Sequence, residues 1–265
     1  SYSVTSAAQH GTVSINSSTG EWTYTPNANY SGSDSFQLQA TDGSFTDQET
    51  ISITIDADND SVIAQSLLQM DGAGTAATIA HNNALNATAS GFTVEFWLQG
   101  TGNGAHTGLL DKMYQPNAST FNGWKFNLQA DGSTPVLYLG DDDAYVAVAH
   151  STNVDDGAWH HISAVYDGTA NTIEMYVDGV ATGSPVSTAG LMQSQLASTV
   201  DLLVGNDDYA SNPAYDGRMA DLRIWSDART VEEIQTHYNH QLAGNESNLA
   251  AYYTMESADG KTIDD

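Results

Sequence analysis

The sequence predicts an all-β chain of two domains, and three observations carry the prediction. Apolar and polar residues alternate in short runs along most of the 265 residues, Gly, Asp and Asn turns separate the runs, and one stretch alone has helical spacing. An acidic segment, Asp56-Ala57-Asp58-Asn59-Asp60, divides residues 1–60 from residues 61–265. Period-two runs joined by such turns imply antiparallel sheets packed face to face, because each strand has one apolar face to bury.

In residues 1–60, strands are expected at Thr12–Ile15, Trp22–Thr25, Ser35–Ala40 and Thr50–Ile55. Their turns are Ser18-Thr19-Gly20, Pro26-Asn27-Ala28-Asn29 and Thr41-Asp42-Gly43. An immunoglobulin-like sandwich takes about seven strands and about 100 residues, so this segment is expected to be a partial one. The stretches His10-Gly11-Thr12-Val13-Ser14-Ile15 and Trp22-Thr23-Tyr24-Thr25-Pro26 through Tyr30-Ser31-Gly32-Ser33-Asp34-Ser35-Phe36 resemble the cadherin-like repeats of large bacterial surface adhesins. The resemblance implies that the first strands of the repeat are missing. It also implies calcium ligands at the junction, here Asp58 and Asp60. From the residues alone, the linker reads equally as a solvated loop.

In residues 61–265, alternation marks strands at Thr93–Leu98, Lys125–Leu128, Val136–Leu139, Tyr145–Ala149, His161–Tyr166, Thr172–Val177, Asp201–Val204, Met219–Trp225 and Ala250–Met255. Trp97, Trp159 and Trp225 lie inside this alternation and are expected in the core. The helix starts at Thr230-Val231-Glu232-Glu233, a capping box in which Thr230 and Glu233 satisfy each other's backbone amides. Val231, Ile234, Tyr238 and Leu242 form its apolar stripe and Gly244 its stop.

Three stretches carry a resemblance for this second domain: Gly157-Ala158-Trp159-His160-His161-Ile162 through Tyr166-Asp167-Gly168 to Met175-Tyr176-Val177-Asp178-Gly179, then Phe92-Thr93-Val94-Glu95-Phe96-Trp97, and Asp216-Gly217-Arg218-Met219-Ala220-Asp221-Leu222-Arg223-Ile224-Trp225. Together they resemble the laminin-G-like branch of the concanavalin A-like lectin/glucanase superfamily. The resemblance implies a jelly roll of two antiparallel sheets that binds ligands, usually sugars, often through calcium. The expected fold is therefore all-β: a partial cadherin-like sandwich, then a concanavalin A-like jelly roll.

Charge narrows the function classes. Asp and Glu number 33 against 6 Lys and Arg, a net charge of −27. Nucleic acid is disfavoured as a partner, because binding it requires neutralising phosphates with cations. An anionic membrane is disfavoured for the same reason, and no apolar run of about 18 residues offers membrane insertion. Such a surplus calls for screening by salt or divalent cations. Five Trp and 13 Tyr argue against disorder. The chain has no cysteine, so it works inside a cell or is stabilised outside without disulfides. Its opening residues are not a signal peptide, and it reads as an internal segment of a longer chain.

The densest set of hard oxygen donors is Gly205-Asn206-Asp207-Asp208-Tyr209, at the end of a strand. In the pentraxins, which this loop resembles, such a Gly with amide and acid side chains helps bind calcium. The partner loop there matches Asp111-Lys112-Met113-Tyr114-Gln115-Pro116-Asn117-Ala118-Ser119-Thr120, with Asn117 as the matching ligand. Asn206, Asp207, Asp208 and Asn117 are therefore expected to hold Ca2+. Gly140-Asp141-Asp142-Asp143 is a second acidic cluster. Adjacent strand residues face opposite ways, so Asp141 and Asp143 are the pair able to share an ion. Read without a metal, that cluster is a solvated hairpin tip.

Aromatic rings near these loops are expected to stack on sugar. Tyr209 and Tyr215 flank Ala210-Ser211-Asn212-Pro213 and read as exposed, with Asn212 as a polar contact, whereas Tyr114 and Trp124 read either way. His160-His161 point to opposite faces and make poor co-ligands. Glucanases of the resembling superfamily use a Glu-x-Asp-x-x-Glu strand. None of Glu95, Glu174, Glu232 or Glu256 stands in such a motif, and the expectation is no enzyme.

These readings converge on a calcium-dependent carbohydrate-binding module of a large secreted bacterial adhesin, at the cell surface. Its expected partners are a host or algal glycan and neighbouring adhesin domains. The alternative is a calcium-stiffened structural or protein-interaction module.

Overall fold

The computed structural model describes residues 1–27, 32–55, 67–73, 77–100, 106–116, 120–207 and 213–255. The chain divides into two compact units, Ser1–Asp60 and Ser61–Asp265, and the described residues are dominated by antiparallel strands.

The first unit contains β1 (Tyr2–Ser6), β2 (Gly11–Ile15), β3 (Trp22–Pro26), β4 (Gly32–Thr41) and β5 (Thr46–Ile55). One sheet has the order β1-β4-β5, and β2 pairs with β3 in a hairpin. Phe36 on β4 is the buried hydrophobic residue of this unit among the described residues. Trp22 meets it edge-on at 5.2 Å and Tyr24 stacks at 6.2 Å, so one aromatic cluster joins hairpin to sheet. Asp34 adds a polar tie. Its carboxylate accepts the amides of Gln9, His10 and Ser35 and the Tyr24 hydroxyl at 2.8–3.1 Å.

The second unit is a two-sheet sandwich. Its strands are β6 (Leu68–Asp71), β7 (Ala77–Ile79), β8 (Gly91–Gly100), β9 (Thr107–Asp111), β10 (Gly123–Leu128), β11 (Pro135–Gly140), β12 (Tyr145–Ala149), β13 (Trp159–Asp167), β14 (Thr172–Val177), β15 (Val180–Ala181), β16 (Val186–Ser187), β17 (Leu202–Val204), β18 (Asp216–Trp225) and β19 (Leu249–Tyr253). The six-stranded sheet has the order β12-β11-β10-β9-β17-β7. The eight-stranded sheet has the order β15-β14-β13-β8-β18-β19, with β16 on β14 and β6 on β18. The inner faces interdigitate: Phe96 meets Phe126 at 5.1 Å and near a right angle, and Phe92 meets Trp124 at 5.7 Å. The Trp124 indole N–H donates to the Leu85 carbonyl at 2.8 Å. Trp124 is wholly buried, which closes the reading of it as a sugar platform.

The helix α1 (Val231–His237) carries the expected capping box. Glu233 N–H donates to Thr230 Oγ1 at 3.3 Å and Thr230 N–H to Glu233 Oε2 at 2.8 Å. Its stripe is narrower than expected, because Val231 is exposed while Ile234 is buried. The helix and the turn after it cover part of the outer face of the eight-stranded sheet. There Tyr238 stacks on Trp97 at 5.9 Å, and Arg223 donates to the carbonyls of His237 and His240 at 2.7 and 2.6 Å.

Of the three tryptophans expected in the core, Trp97 and Trp225 are buried, though not between the two sheets, and Trp159 is not fully buried. Strand alternation puts Phe96, Leu98, Ile162 and Ile224 inside, and hence Trp97, Trp159 and Trp225 on the outer face. Trp97 and Trp225 are buried there, beneath Tyr238 and the Arg229 guanidinium respectively, whereas Trp159 is half-buried.

Candidate functional site

The outer face of the six-stranded sheet departs from an ordinary solvated surface. On β10, Trp124, Phe126 and Leu128 turn inward, so Lys125 and Asn127 turn outward. Register then builds one row across five strands: Tyr138, Lys125, Asp111, Leu203 and Thr78 lie side by side. In that row Lys125 is 8% and Asp111 5% exposed, and Asn127, the next outward residue along β10, is 0% exposed. Outward polar residues that are nevertheless buried form a pre-set hydrogen-bonding floor.

Aromatic side chains border this floor. The Lys125 ammonium lies over the Tyr138 ring at 5.6 Å and its Nζ lies 3.4 Å from Gln115 Oε1. Tyr138 meets Tyr145 at 5.5 Å, and Tyr145 meets Phe121 at 4.9 Å. Tyr145 and Tyr114 are about half exposed. Burial, then the neighbouring Tyr145, raises the Tyr138 pKa, so its hydroxyl stays neutral at physiological pH and can donate.

Asp207 reaches the other end of the floor. Gly205, at φ +79°, turns the chain sharply after β17. Gly108 lets the turned segment lie against β9, because a Cβ at Gly108 would stand 2.5 Å from the Asp207 nitrogen. Asp207 is 5% exposed, and its Oδ2 accepts from Asn127 Nδ2 at 2.9 Å. The same Nδ2 lies 2.9 Å from His106 Nε2, which makes that nitrogen the acceptor and His106 neutral. Burial lowers the His106 pKa, Asp207 raises it and Lys125 lowers it, for a net fall.

The sequence-predicted residues divide as follows. Asn206 and Asp207 come together, but Asn206 Oδ1 accepts the Asp207 amide at 2.9 Å and so closes a local turn. Asp208, Asn117, Tyr209, Asn212, Asp58 and Asp60 lie outside the described residues. Tyr215 is corrected: it is 2% exposed, lies in the core and donates to Asp155 Oδ1 at 3.3 Å. Gly100 and Gly217 leave the space that its ring fills, so it cannot frame a sugar. Tyr114 is exposed as a platform requires.

Asp141 and Asp143 are corrected as an ion-sharing pair. Asp141 is buried, with Oδ1 accepting the amides of Asp143 and Ala144 at 3.2 and 2.9 Å and Oδ2 that of Met192 at 2.5 Å. Asp143 faces solvent. The cluster is a hairpin tip pinned by one inward carboxylate. Asp42, Asp131 and Asp167 use the same device, each accepting the amides two and three residues on. The abundance of Asp in turns is thus explained by turn formation.

A calcium site at Asp207 is a partial fit. Among the described residues Asn127 Oδ1 is buried without a hydrogen-bond partner, but the Asn127 atom that faces the Asp207 carboxylate is the amide nitrogen Nδ2. Calcium takes about six to eight oxygens. Among the described residues, no three His, Asp or Glu side chains converge to hold an ion.

Sequence reasoning missed Lys125, Asn127, His106, Tyr138 and Phe121 as a group. The available signal was polar residues at alternate positions of β10, one of them among only six cations.

A concanavalin A-like lectin/glucanases superfamily model matches residues 71–235, and a bacterial cadherin-like domain model matches residues 1–57. No curated protein matches the sequence. Among solved structures, a Bacteroides ovatus protein described as carbohydrate-binding superposes with a TM-score of 0.54 at 13% identity, over 85% of this chain and 61% of that one. The chain thus spans 61% of that protein's length. The Ruminococcus gnavus IT-sialidase CBM40 bound to α2,3-sialyllactose superposes with a TM-score of 0.52 at 12% identity, over 68% of this chain and all of that one. At such identities the likeness is one of fold. With the family model spanning most of the two-sheet unit, and the cadherin-like model the first unit, the chain belongs to the concanavalin A-like lectin/glucanase superfamily and carries a bacterial cadherin-like domain ahead of that fold.

Proposed function

We propose that the second unit binds carbohydrate on the outer face of its six-stranded sheet, as a module of a secreted bacterial adhesin. The observation that carries the proposal is the pairing of half-exposed Tyr145, in its aromatic cluster, with the buried polar floor of Lys125, Asn127 and Asp207. Sugar rings present apolar C–H faces and hydroxyl edges. An aromatic face covers the first, and fixed donors and acceptors take the second. In this reading Tyr145 stacks on the ring, Lys125 donates to hydroxyl oxygens, and Asp207 and Asn127 orient the far hydroxyls. The reading is supported by neighbours of the same fold, one described as carbohydrate-binding and one bound to sialyllactose.

Calcium belongs to the proposal. Asp207 and Asn127 would supply ligands, with Asn206, Asp208 and Asn117 as the further donors nearest in sequence logic. The ion when bound supplies positive charge for ordering the segment and for polarising sugar hydroxyls. The module is proposed to bind rather than cleave. Glu95 supports this, since it is 1% exposed, accepts from Trp225 at 2.5 Å and faces His161 at 3.3 Å, away from solvent.

The burial of Asn127 and Asp207 favours a second reading, in which this face only stiffens the fold. A glycan array probed with the full chain, in calcium and then in excess chelator, separates the two. Binding that disappears with chelator supports the calcium-dependent lectin. No binding in either condition by folded protein supports the stiffening reading. Asp207→Ala should abolish retention on the bound glycan under the first reading, and under the second should only lower stability, by about 1–3 kcal/mol for the unpaired Asn127 amide.

A further inference from the structure

The chain has six cations, and the structure disposes of them unevenly. Lys112, Lys125, Arg223 and Arg229 are buried, and Lys261 lies outside the described residues. Arg218 is the exposed cation among the described residues. It stands in an open cleft of about 340 Å³ on the eight-stranded sheet, lined also by Gln69, Gln99, Gly157 and Asp216.

Register makes this position a built one. Arg218 pairs with Gln69 on one side and Gln99 on the other, and Gln99 pairs with Trp159. Directly opposed residues share a face, so a row Gln69–Arg218–Gln99–Trp159 crosses four strands. The guanidinium is held by its Nε donating to Gln69 Oε1 at 2.9 Å, with Nη1 3.5 Å from Gln99 Oε1. The carboxamides are themselves fixed. Gln69 Nε2 donates to the Gly217 and Met70 carbonyls at 3.1 and 3.0 Å, and Gln99 Nε2 to the Gly157 carbonyl at 2.9 Å. Among the described residues the two N–H groups of Nη2 have no partner and remain for a ligand.

We propose that this cleft is a second saccharide site, on the opposite sheet from the first, selecting a neutral sugar with adjacent hydroxyls. Nη2 of Arg218 donates to the hydroxyl oxygens, the exposed Asp216 carboxylate accepts from a hydroxyl, and half-buried Trp159 offers a ring at the end of the row. Asp216 and the net charge of −27 disfavour a carboxylate-bearing sugar. Two sites on opposite sheets would make the unit bivalent, so that one module bridges two glycan chains. The ligand class rests on the carbohydrate reading, but the residues are independent of the first site.

The test is an NMR titration of the full, isotopically labelled chain with D-galactose, D-glucose, D-mannose, N-acetyl-D-glucosamine and D-glucuronate. The expected result is saturable shifts of the Arg218 Nε–H and the Gln69 and Gln99 side-chain amides with at least one neutral sugar, at lower concentration than with glucuronate. Those shifts should persist in Tyr145→Ala. In Arg218→Met, which keeps the aliphatic stem, the Gln99 response should weaken by at least about tenfold while Asn127 responds as before. A dispersed spectrum of the variant establishes that it is folded. The proposal is overturned if these side chains stay unmoved by every neutral sugar, if glucuronate is preferred, or if Arg218→Met leaves the Gln99 response intact. Failure of the first site reads separately, as an unmoved Asn127 amide.

Discussion

Asp34 shows how one carboxylate can organise a unit with little apolar core. Partial burial pushes its pKa up, but the amides of His10, Gln9 and Ser35 and the Tyr24 hydroxyl outweigh this and hold it at about 2, against an ordinary 3.8. The sign follows from linkage: the folded form prefers the ionised carboxylate, so this stabilisation is full above pH 3.8 and is lost as pH falls through 2. Acid should therefore loosen the first unit over that interval, read from the Trp22 indole resonance. Asp34→Asn should lower its stability at neutral pH and flatten the acid dependence. His160 has the opposite sign. Burial lowers its pKa, but Asp178 at 2.8 Å and Asp156 at 3.2 Å raise it to a net increase above 6.5. Its contribution is full below 6.5 and is lost as pH rises through the raised value. His160→Ala should remove that slope from thermal unfolding followed across neutral pH.

At the scale of elements, Tyr145–Ala149 and Thr172–Val177 were legible to the residue, because alternation runs their whole length between turn residues. The capping box was legible too, since it is a local pattern. Thr230→Ala should cost about 1 kcal/mol of stability in denaturant unfolding of the second unit. Phe126→Ala, at the centre of the two-sheet core, should cost about 3–5 kcal/mol. β1, β6 and β7 escaped notice because they are short and lie at or near sheet edges. β9 is not marked by alternation, because its period breaks: the register shifts between Phe126 and Asn127, and both Leu109 and Leu110 enter the core. The candidate site was legible only in part. Asp207 could be picked out by donor density, but its neighbours Asn127, His106 and Lys125 come from strands brought together by register. Tyr215 misled because a Pro and Asn beside it suggest exposure, while two glycines on facing strands make room for its ring.

At the scale of the whole molecule, the charge of −27 should make stability depend on salt. In chelator, adding salt up to about 0.5 M should raise the melting temperature, since screening shortens the range of self-repulsion. Calcium should do the same at far lower concentration if Asp207 lies in an ion site, and Asp207→Asn should remove that difference. The charge also sets the cations apart: four are buried and serve the fold or the floor of the first site, while Arg218 stands in a cleft on the other sheet. The most direct measurement of the central claim is the affinity of the full chain for its strongest array glycan, beside Tyr145→Ala. The account predicts a loss of roughly 3- to 10-fold, the worth of one exposed aromatic platform, in a variant that still folds. An affinity equal to that of the unaltered chain would contradict it and move the sugar off this face of the sheet.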